Sequence, residues 1–102
     1  MAVIEVTSFE VNEGSESDFH QGLTSSLPIL MRQSGYVGHH LGASVELPQL
    51  FWLIVHWERL EDHTEGFRKS EAFETFVGAF RPFLAKPAMV SHFSSTPGGN
   101  CI

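Results

Sequence analysis

The chain has 102 residues, 42% of them hydrophobic, which is enough for one domain with a core of its own. Twelve acidic residues against six basic ones give a net charge of −6 and leave no Lys/Arg cluster, so we expect neither a nucleic-acid nor a membrane partner. No apolar run reaches the length of about 20 residues that spans a bilayer, and the N-terminus lacks signal-peptide features. The single cysteine, Cys101, excludes an internal disulfide. We therefore expect a soluble, cytoplasmic protein.

The first half of the chain alternates between strand and helix patterns. Residues 3–11, "VIEVTSFEV", alternate with period two and predict a strand. A first helix is predicted by apolar residues at helical spacing, with Pro28 inside it and Gly35 as its stop; these residues are Phe19, Leu23 and Leu27. "YVGHHLGASVE" and "LFWLIVHW" predict two strands that the short "LPQ" segment joins as an antiparallel hairpin.

The second half begins with an acidic segment. Four acidic residues precede Arg68 and Lys69, the charge order that favours a short helix. From Ser70 onward an apolar stripe predicts a second helix, ended by Pro82; its members are Phe73, Phe76, Val77 and Phe80. "AMVSHFS" predicts a last strand, so residues 1–94 form the predicted domain and residues 95–102 a flexible tail.

The order β-α-β-β-α-β predicts an α+β, ferredoxin-like fold: a four-stranded antiparallel sheet with both helices on one face. Alternation on the third strand directs Leu53, Val55 and Trp57 to one face and Trp52, Ile54 and His56 to the other. Two helices cannot cover both apolar faces. We therefore expect a homodimer in which two sheets pair face to face as a dimeric α+β barrel.

Four stretches carry a resemblance to a known family: "VTSFEVNEG", the Gly-Tyr after helix one, "LFWLIVHWERLEDH" and "FRKSEAFETFVGAFRPFLAKPAMVSHF". Together they resemble the antibiotic biosynthesis monooxygenase domain, a branch of the dimeric α+β barrel superfamily, over about residues 3–94. The resemblance implies the barrel fold, and a function among cofactor-free oxygenases of aromatic polyketides, haem-degrading enzymes and quinol oxygenases.

The resemblance also separates these branches residue by residue. The positions that the haem-degrading branch uses are Thr7, Phe67 and Val77 here, and none matches, so haem turnover is not expected. The polyketide-oxygenase branch matches at Trp57, whereas Leu53 stands for its Asn and His63 for its Tyr. We expect no cofactor and no metal.

A cofactor-free site of this kind needs a base and a dry pocket. A small aromatic or polyketide-like substrate that loses a proton there becomes a carbanion able to react with dioxygen. His63 is the predicted base, because the ordinary pKa of imidazole, about 6.5, lies near neutral pH, and Glu5 is a second acid/base candidate. Trp57 is the predicted stacking wall, and Arg68 anchors a phenolate or carboxylate. The other predicted substrate-binding residues are Thr7, Leu53 and Phe67.

Other interpretations of the same residues stay open. Trp57 fits a core position, and His63 fits an exposed helix start beside Glu61. The remaining strand histidines fit structural positions without an assigned role; they are His39, His40, His56 and His92. The same scaffold and base would also serve a cyclase, a decarboxylase or an isomerase, and a dimer that binds a hydrophobic ligand without turnover is the non-catalytic alternative.

Overall fold

Four strands form one antiparallel sheet in the computed structural model, which describes residues 2–98. The strands are β1 (Val3–Glu10), β2 (Tyr36–Ala43), β3 (Leu50–Trp57) and β4 (Met89–Phe93). Their spatial order is β2-β3-β1-β4, and each neighbouring pair is antiparallel. The ferredoxin-like α+β prediction and the predicted β2–β3 pairing are confirmed.

Two α-helices and two shorter helices complete the fold. Helix α1 spans Glu16–Met31 with Pro28 inside it, and α2 spans Glu71–Gly78. Ser70 caps α2, because its hydroxyl oxygen accepts the Phe73 backbone N–H at 3.2 Å. Helix α2 ends at Gly78 and is shorter than the helix predicted from the apolar stripe, so Phe80 lies beyond its end.

The acidic segment after β3 forms an unusual helix. The short helix predicted after β3 is a π-helical turn at Asp62–Phe67. A π-helical turn is wider than an α-helical one and is often found at functional sites. A separate 3-10 turn, Arg81–Phe83, contains the predicted helix breaker Pro82.

The core lies between the sheet and the two α-helices. Phe51, Leu53, Val55 and Trp57 of β3 all face it and are at most 6% exposed, which confirms the predicted alternation. Five phenylalanine rings meet there, with the centroids of neighbouring rings 4.9–5.7 Å apart; they are Phe9, Phe19, Phe51, Phe76 and Phe80. Burying each such side chain contributes about 1.5–3 kcal/mol of hydrophobic stabilisation.

Helix α1 approaches the end of α2 at Gly22. A Cβ atom added at Gly22 would clash with the backbone carbonyl oxygen of Ala79. Only glycine therefore lets the two backbones come this close, and the approach fixes how α1 lies against α2.

The opposite face of the sheet carries a second set of apolar side chains, which we call the open sheet face. Its exposed members are Trp52 (40%), Met89 (62%) and Phe93 (51%), and its partly buried members are Ile4, Val6 and Ile54. The alternation that directs β3 residues to two faces is therefore also present in β1 and β4.

The C-terminal segment follows β4. Residues 94–98 contain no helix or strand, and Cys101 lies outside the described residues, so the domain boundary at residue 94 remains a prediction. Among residues 2–98, none of the helices combines the length and the apolar character needed to cross a bilayer.

Candidate active site

A cavity of about 530 Å³ lies on the helix side of the sheet. Apolar side chains form most of its wall; they include Phe9, Leu53, Phe73, Phe76, Val77, Phe80 and Val90. Its acidic, imidazole and hydroxyl groups are Glu5, Thr7 and His63, and its basic groups are Arg68, Arg81 and Lys86. A mainly apolar cavity of this size with a few convergent polar groups is typical of a small-molecule site.

Glu5 is a buried carboxylate on β1, 6% exposed. Its Oε1 accepts the Trp57 Nε1–H at 3.0 Å, and its Oε2 accepts the Thr7 hydroxyl. Burial of a carboxylate is costly unless such donors replace water. Period-two alternation on β1 places Glu5 and Thr7 on the same face, so the strand itself brings the donor and the acceptor together.

His63 is carried over Trp57 by the π-helical turn. The two rings are nearly parallel, with centroids 5.4 Å apart and an interplanar angle of 12°, and His63 is only 3% exposed. Its Nε2 lies 3.4 Å from Glu5 Oε1, an electrostatic contact longer than a typical hydrogen bond. Its Nδ1 is hydrogen-bonded to His92 Nε2 at 2.8 Å. Both ring nitrogens therefore face groups that can exchange a proton.

The surroundings of His63 set its protonation state. Burial lowers the pKa of His63 below its ordinary value, the charge of Glu5 opposes this change, and His92 and Arg68 reinforce it. The imidazole is consequently neutral at neutral pH and able to accept a proton. The imidazolium that would form lies beside the Glu5 carboxylate, which favours it electrostatically.

Five of the predicted site residues line the cavity together: Glu5, Thr7, Leu53, His63 and Arg68. Trp57 and Phe67 are not among the lining residues. Trp57 is fully buried, with the His63 ring stacked on it and Phe67 at a centroid distance of 6.1 Å. The predicted stacking wall differs from the structure, because His63 occupies the indole face that was assigned to a substrate.

His92 was named from the sequence without a role. In the structure β1 and β4 pair so that Glu5 lies opposite His92, which places both side chains on the helix side of the sheet. No local pattern indicates this register, because β1 and β4 are far apart in the chain. Arg81 and Lys86, which follow α2, were likewise not singled out as site residues.

The other strand histidines lie outside this cluster. His39 Nδ1 is 2.6 Å from the Tyr36 hydroxyl, and burial, reinforced by His40, lowers the pKa of His39. His56 is on the open sheet face and is partly buried. Within the described part of the chain, no group of three or more His, Cys, Asp or Glu side chains is arranged to hold a metal ion.

The chain is similar to a known family and to a known bacterial protein. The family model described as "Antibiotic biosynthesis monooxygenase" matches residues 2–79. The uncharacterized protein YczJ of Bacillus subtilis (strain 168) is 34% identical over 91 residues, which cover 89% of this chain and 96% of YczJ.

Solved structures show the same relationship. A Bordetella bronchiseptica protein named for this family superposes with a TM-score of 0.89 at 33% identity, covering 93% of this chain and 97% of that one. SnoaB of Streptomyces nogalater, a cofactor-independent oxygenase, has a TM-score of 0.80 at 19% identity, with 93% of each chain covered. At that identity the likeness to SnoaB shows a shared fold alone.

Proposed function

The chain belongs to the antibiotic biosynthesis monooxygenase family, and from this membership we propose that it is a cofactor-independent oxygenase of a small aromatic or polyketide-like metabolite. The observation that carries the proposal is the buried Glu5–His63 pair in the wall of an apolar cavity of about 530 Å³. An apolar pair of side chains would fill the same space, so packing alone does not explain why Glu5 and His63 are buried together. An imidazole beside a carboxylate is, in contrast, the arrangement of a general base.

The proposed reaction begins with proton removal. A phenol or anthrone in the cavity gives a proton to His63, whose imidazolium is stabilised by the Glu5 carboxylate 3.4 Å away. The carbanion then gives its electrons to dioxygen, a C–O bond forms, and the resulting peroxide anion takes one proton back through His63 to become a hydroperoxide. Loss of water from the resulting hydroperoxide converts the CH₂ group of an anthrone to C=O, so both oxygen atoms and all electrons are accounted for. The apolar wall excludes bulk water from these steps.

Arg68 is the proposed anchor for a phenolate or carboxylate of the substrate. Three basic side chains line the cavity, and two of them have acidic partners: Arg81 Nη1 is 3.8 Å from Glu74, and Lys86 Nζ is 3.6 Å from Glu10. Within residues 2–98 no ion pair involves Arg68. Its planar guanidinium suits bidentate binding of a carboxylate.

A second copy of the chain is the proposed cover of the open sheet face. Dimerisation would remove the side chains of Trp52, Met89 and Phe93 from contact with water. Burial of apolar surface contributes about 25 cal/mol of stabilisation per Å². The helix side, with the cavity, would remain outside the resulting barrel. The proposal is therefore a homodimer with one site in each subunit.

Oxygen uptake with a panel of phenols and anthrones tests the proposed function. We expect uptake with at least one compound, and His63→Gln should lower its rate about a hundredfold or more, because a general base contributes at least that much. His20→Gln is the matched control, since His20 is exposed on α1 and should leave the rate unchanged. A His63→Gln rate equal to that of the wild type contradicts the assignment of the base.

The same experiment separates the alternatives. Consumption of a compound without oxygen uptake would indicate the cyclase, decarboxylase or isomerase reactions, which begin with the same proton removal. Binding without consumption would indicate a ligand-binding protein.

A further inference from the structure

The hydrogen bond between two imidazoles is the feature of the site that the proposed reaction does not yet use. His63 Nδ1 and His92 Nε2 lie 2.8 Å apart, with ring centroids 5.0 Å apart and ring planes at 52°. Each of these nitrogens acts as donor or acceptor according to its tautomer, so one hydrogen lies between the two rings. A proton can pass along such a bond without movement of either backbone.

The two rings differ in their access to solvent. His63 is 3% exposed, whereas His92 is partly exposed on the edge strand β4 and does not line the cavity. Glu5, the neighbour at the other nitrogen of His63, is bonded to Trp57 and Thr7, which are both buried. Among residues 2–98, His92 is therefore the one polar partner of His63 that leads from the site to the surface without crossing the cavity.

A substrate in the cavity closes one route for protons between His63 and solvent. A bound aromatic molecule displaces water from the wall that Glu5 and His63 share, so a proton taken from it cannot leave by the way the substrate entered. A relay that carries protons in both directions lets the buried base release the substrate proton and take one up again for the peroxide.

Resting on the proposed function, we infer that His92 is the proton exit of the site: it takes the proton from His63 Nδ1 and releases it to solvent, and a proton returns by the same path when the peroxide is protonated. In the relay, His63 gains a proton at Nε2, beside Glu5, and gives up the hydrogen on Nδ1 to His92 Nε2. His92 then gives up the hydrogen on its Nδ1 to water. Each ring gains one proton and loses one, and no electrons move. His92 does not touch the substrate, so it is a positioning residue that acts through His63.

The charged groups around His63 favour this direction of transfer. Glu5 faces it from β1, His92 from β4, and Arg68 from the end of the π-helical turn. Glu5 attracts a proton to Nε2, whereas Arg68 repels a positive charge on His63. The added proton is therefore held close to Glu5 while the hydrogen on Nδ1 is the one displaced outward.

Nitrogen-15 NMR titration of the histidine rings tests whether the coupling exists, without any substrate. We expect the pKa of His63 to rise in His92→Gln, because the repulsion from His92 that lowers it is removed. His20→Gln should leave the His63 titration unchanged. His92→Phe, which keeps a ring of similar size, is a second variant should His92→Gln not fold. An unchanged His63 titration in the folded variant overturns the proposal, whatever reaction the protein performs.

Steady-state kinetics test the exit role. We expect His92→Gln to lower kcat about tenfold or more while KM stays unchanged, since proton release is slowed and substrate binding is not. Free imidazole in the buffer should restore part of kcat in His92→Ala. A kcat equal to that of the wild type in His92→Gln overturns the exit role. If the wild type converts no compound of the panel, the proposed function fails, and the titration alone decides whether His63 and His92 are coupled.

Discussion

Glu5 is the residue on which the site depends. Its two oxygens accept hydrogen bonds from Trp57 and Thr7, and Oε1 also lies 3.4 Å from His63. A fully packed indole thus holds the carboxylate that orients the imidazole. Trp57 acts behind the cavity wall, and its removal would disturb the position of Glu5 as well as the core.

The buried His63 makes stability depend on pH. Its pKa is lower in the folded chain than its ordinary value, so the unfolded chain binds more protons as the pH falls below about 6.5. The free energy of unfolding should therefore fall from pH 7.5 to pH values below the folded pKa, by about 1.4 kcal/mol for each unit by which folding lowers that pKa. Urea unfolding at a series of pH values measures the slope.

The matched variant separates His63 from the other titrating groups. His39 also has a lowered pKa and contributes in the same direction, so the wild type alone does not identify the source. His63→Gln should show a shallower loss of stability on acidification, and His20→Gln should keep the wild-type slope. If stability fell equally with pH in the wild type and in His63→Gln, folding would not change the proton binding of His63.

The sequence predicted the placement of a side chain well where its neighbours are close in the chain. Alternation on the third strand predicted that Leu53, Val55 and Trp57 share one face, and all three are buried in the core. The role of His92 was not predictable, because the β1–β4 register is set by packing across the whole sheet. The stacking of His63 on Trp57 removed the surface that was predicted for the substrate.

At the scale of elements, the contact between α1 and α2 rests on Gly22. Gly22→Ala places a methyl group against the Ala79 carbonyl oxygen, and a backbone atom cannot move aside without shifting a helix. We expect a loss of about 1–3 kcal/mol in the free energy of unfolding, measured in urea.

Gly78→Ala is the control for Gly22→Ala. Gly78 is the last residue of α2, and a Cβ atom there meets no heavy atom within 4 Å. Alanine at this position should leave stability unchanged or raise it by up to about 1 kcal/mol, because alanine favours the helix. Equal stabilities of the two variants would contradict the close approach of the helices.

The observed boundaries of helices and strands agree with the predicted ones where a single local pattern determines the element. The strands and α1 agree with the predicted pattern, since alternation in β1 and β3 and helical spacing in α1 persist over eight or more residues. The π-helical turn was not predictable from its charges, because an α-helical and a π-helical turn have the same charge preference. The apolar stripe after Ser70 predicted a longer helix than α2, because Phe80 packs in the core although it lies beyond the end of the helix.

At the scale of the molecule, the proposed dimer is tested at Trp52. This side chain is 40% exposed on the open sheet face, so Trp52→Lys places a charge where the partner's sheet would pack. Light scattering at micromolar concentration should show a dimer for the wild type and a monomer for Trp52→Lys, because an unpaired charge in an apolar interface is costly.

Val45→Lys is the control for the dimer test. Val45 is 94% exposed in the β2–β3 connection, outside the strands that form the open sheet face, and its variant should remain dimeric. A wild-type mass equal to that of a single chain would refute face-to-face pairing, whereas a dimer that survives Trp52→Lys would place the interface elsewhere.

The opposite orientation of the two tryptophans on β3 gives the chain two intrinsic fluorophores in different surroundings. Trp57 is completely buried against an imidazole, and Trp52 is 40% exposed on the other face. Emission from Trp57 should dim as the site is acidified, because an imidazolium quenches an excited indole more strongly than a neutral ring does. Emission from Trp52 should shift to shorter wavelength when its face is covered. Single Trp→Phe variants therefore provide one optical reporter for the protonation of the site and another for subunit association, without an added label.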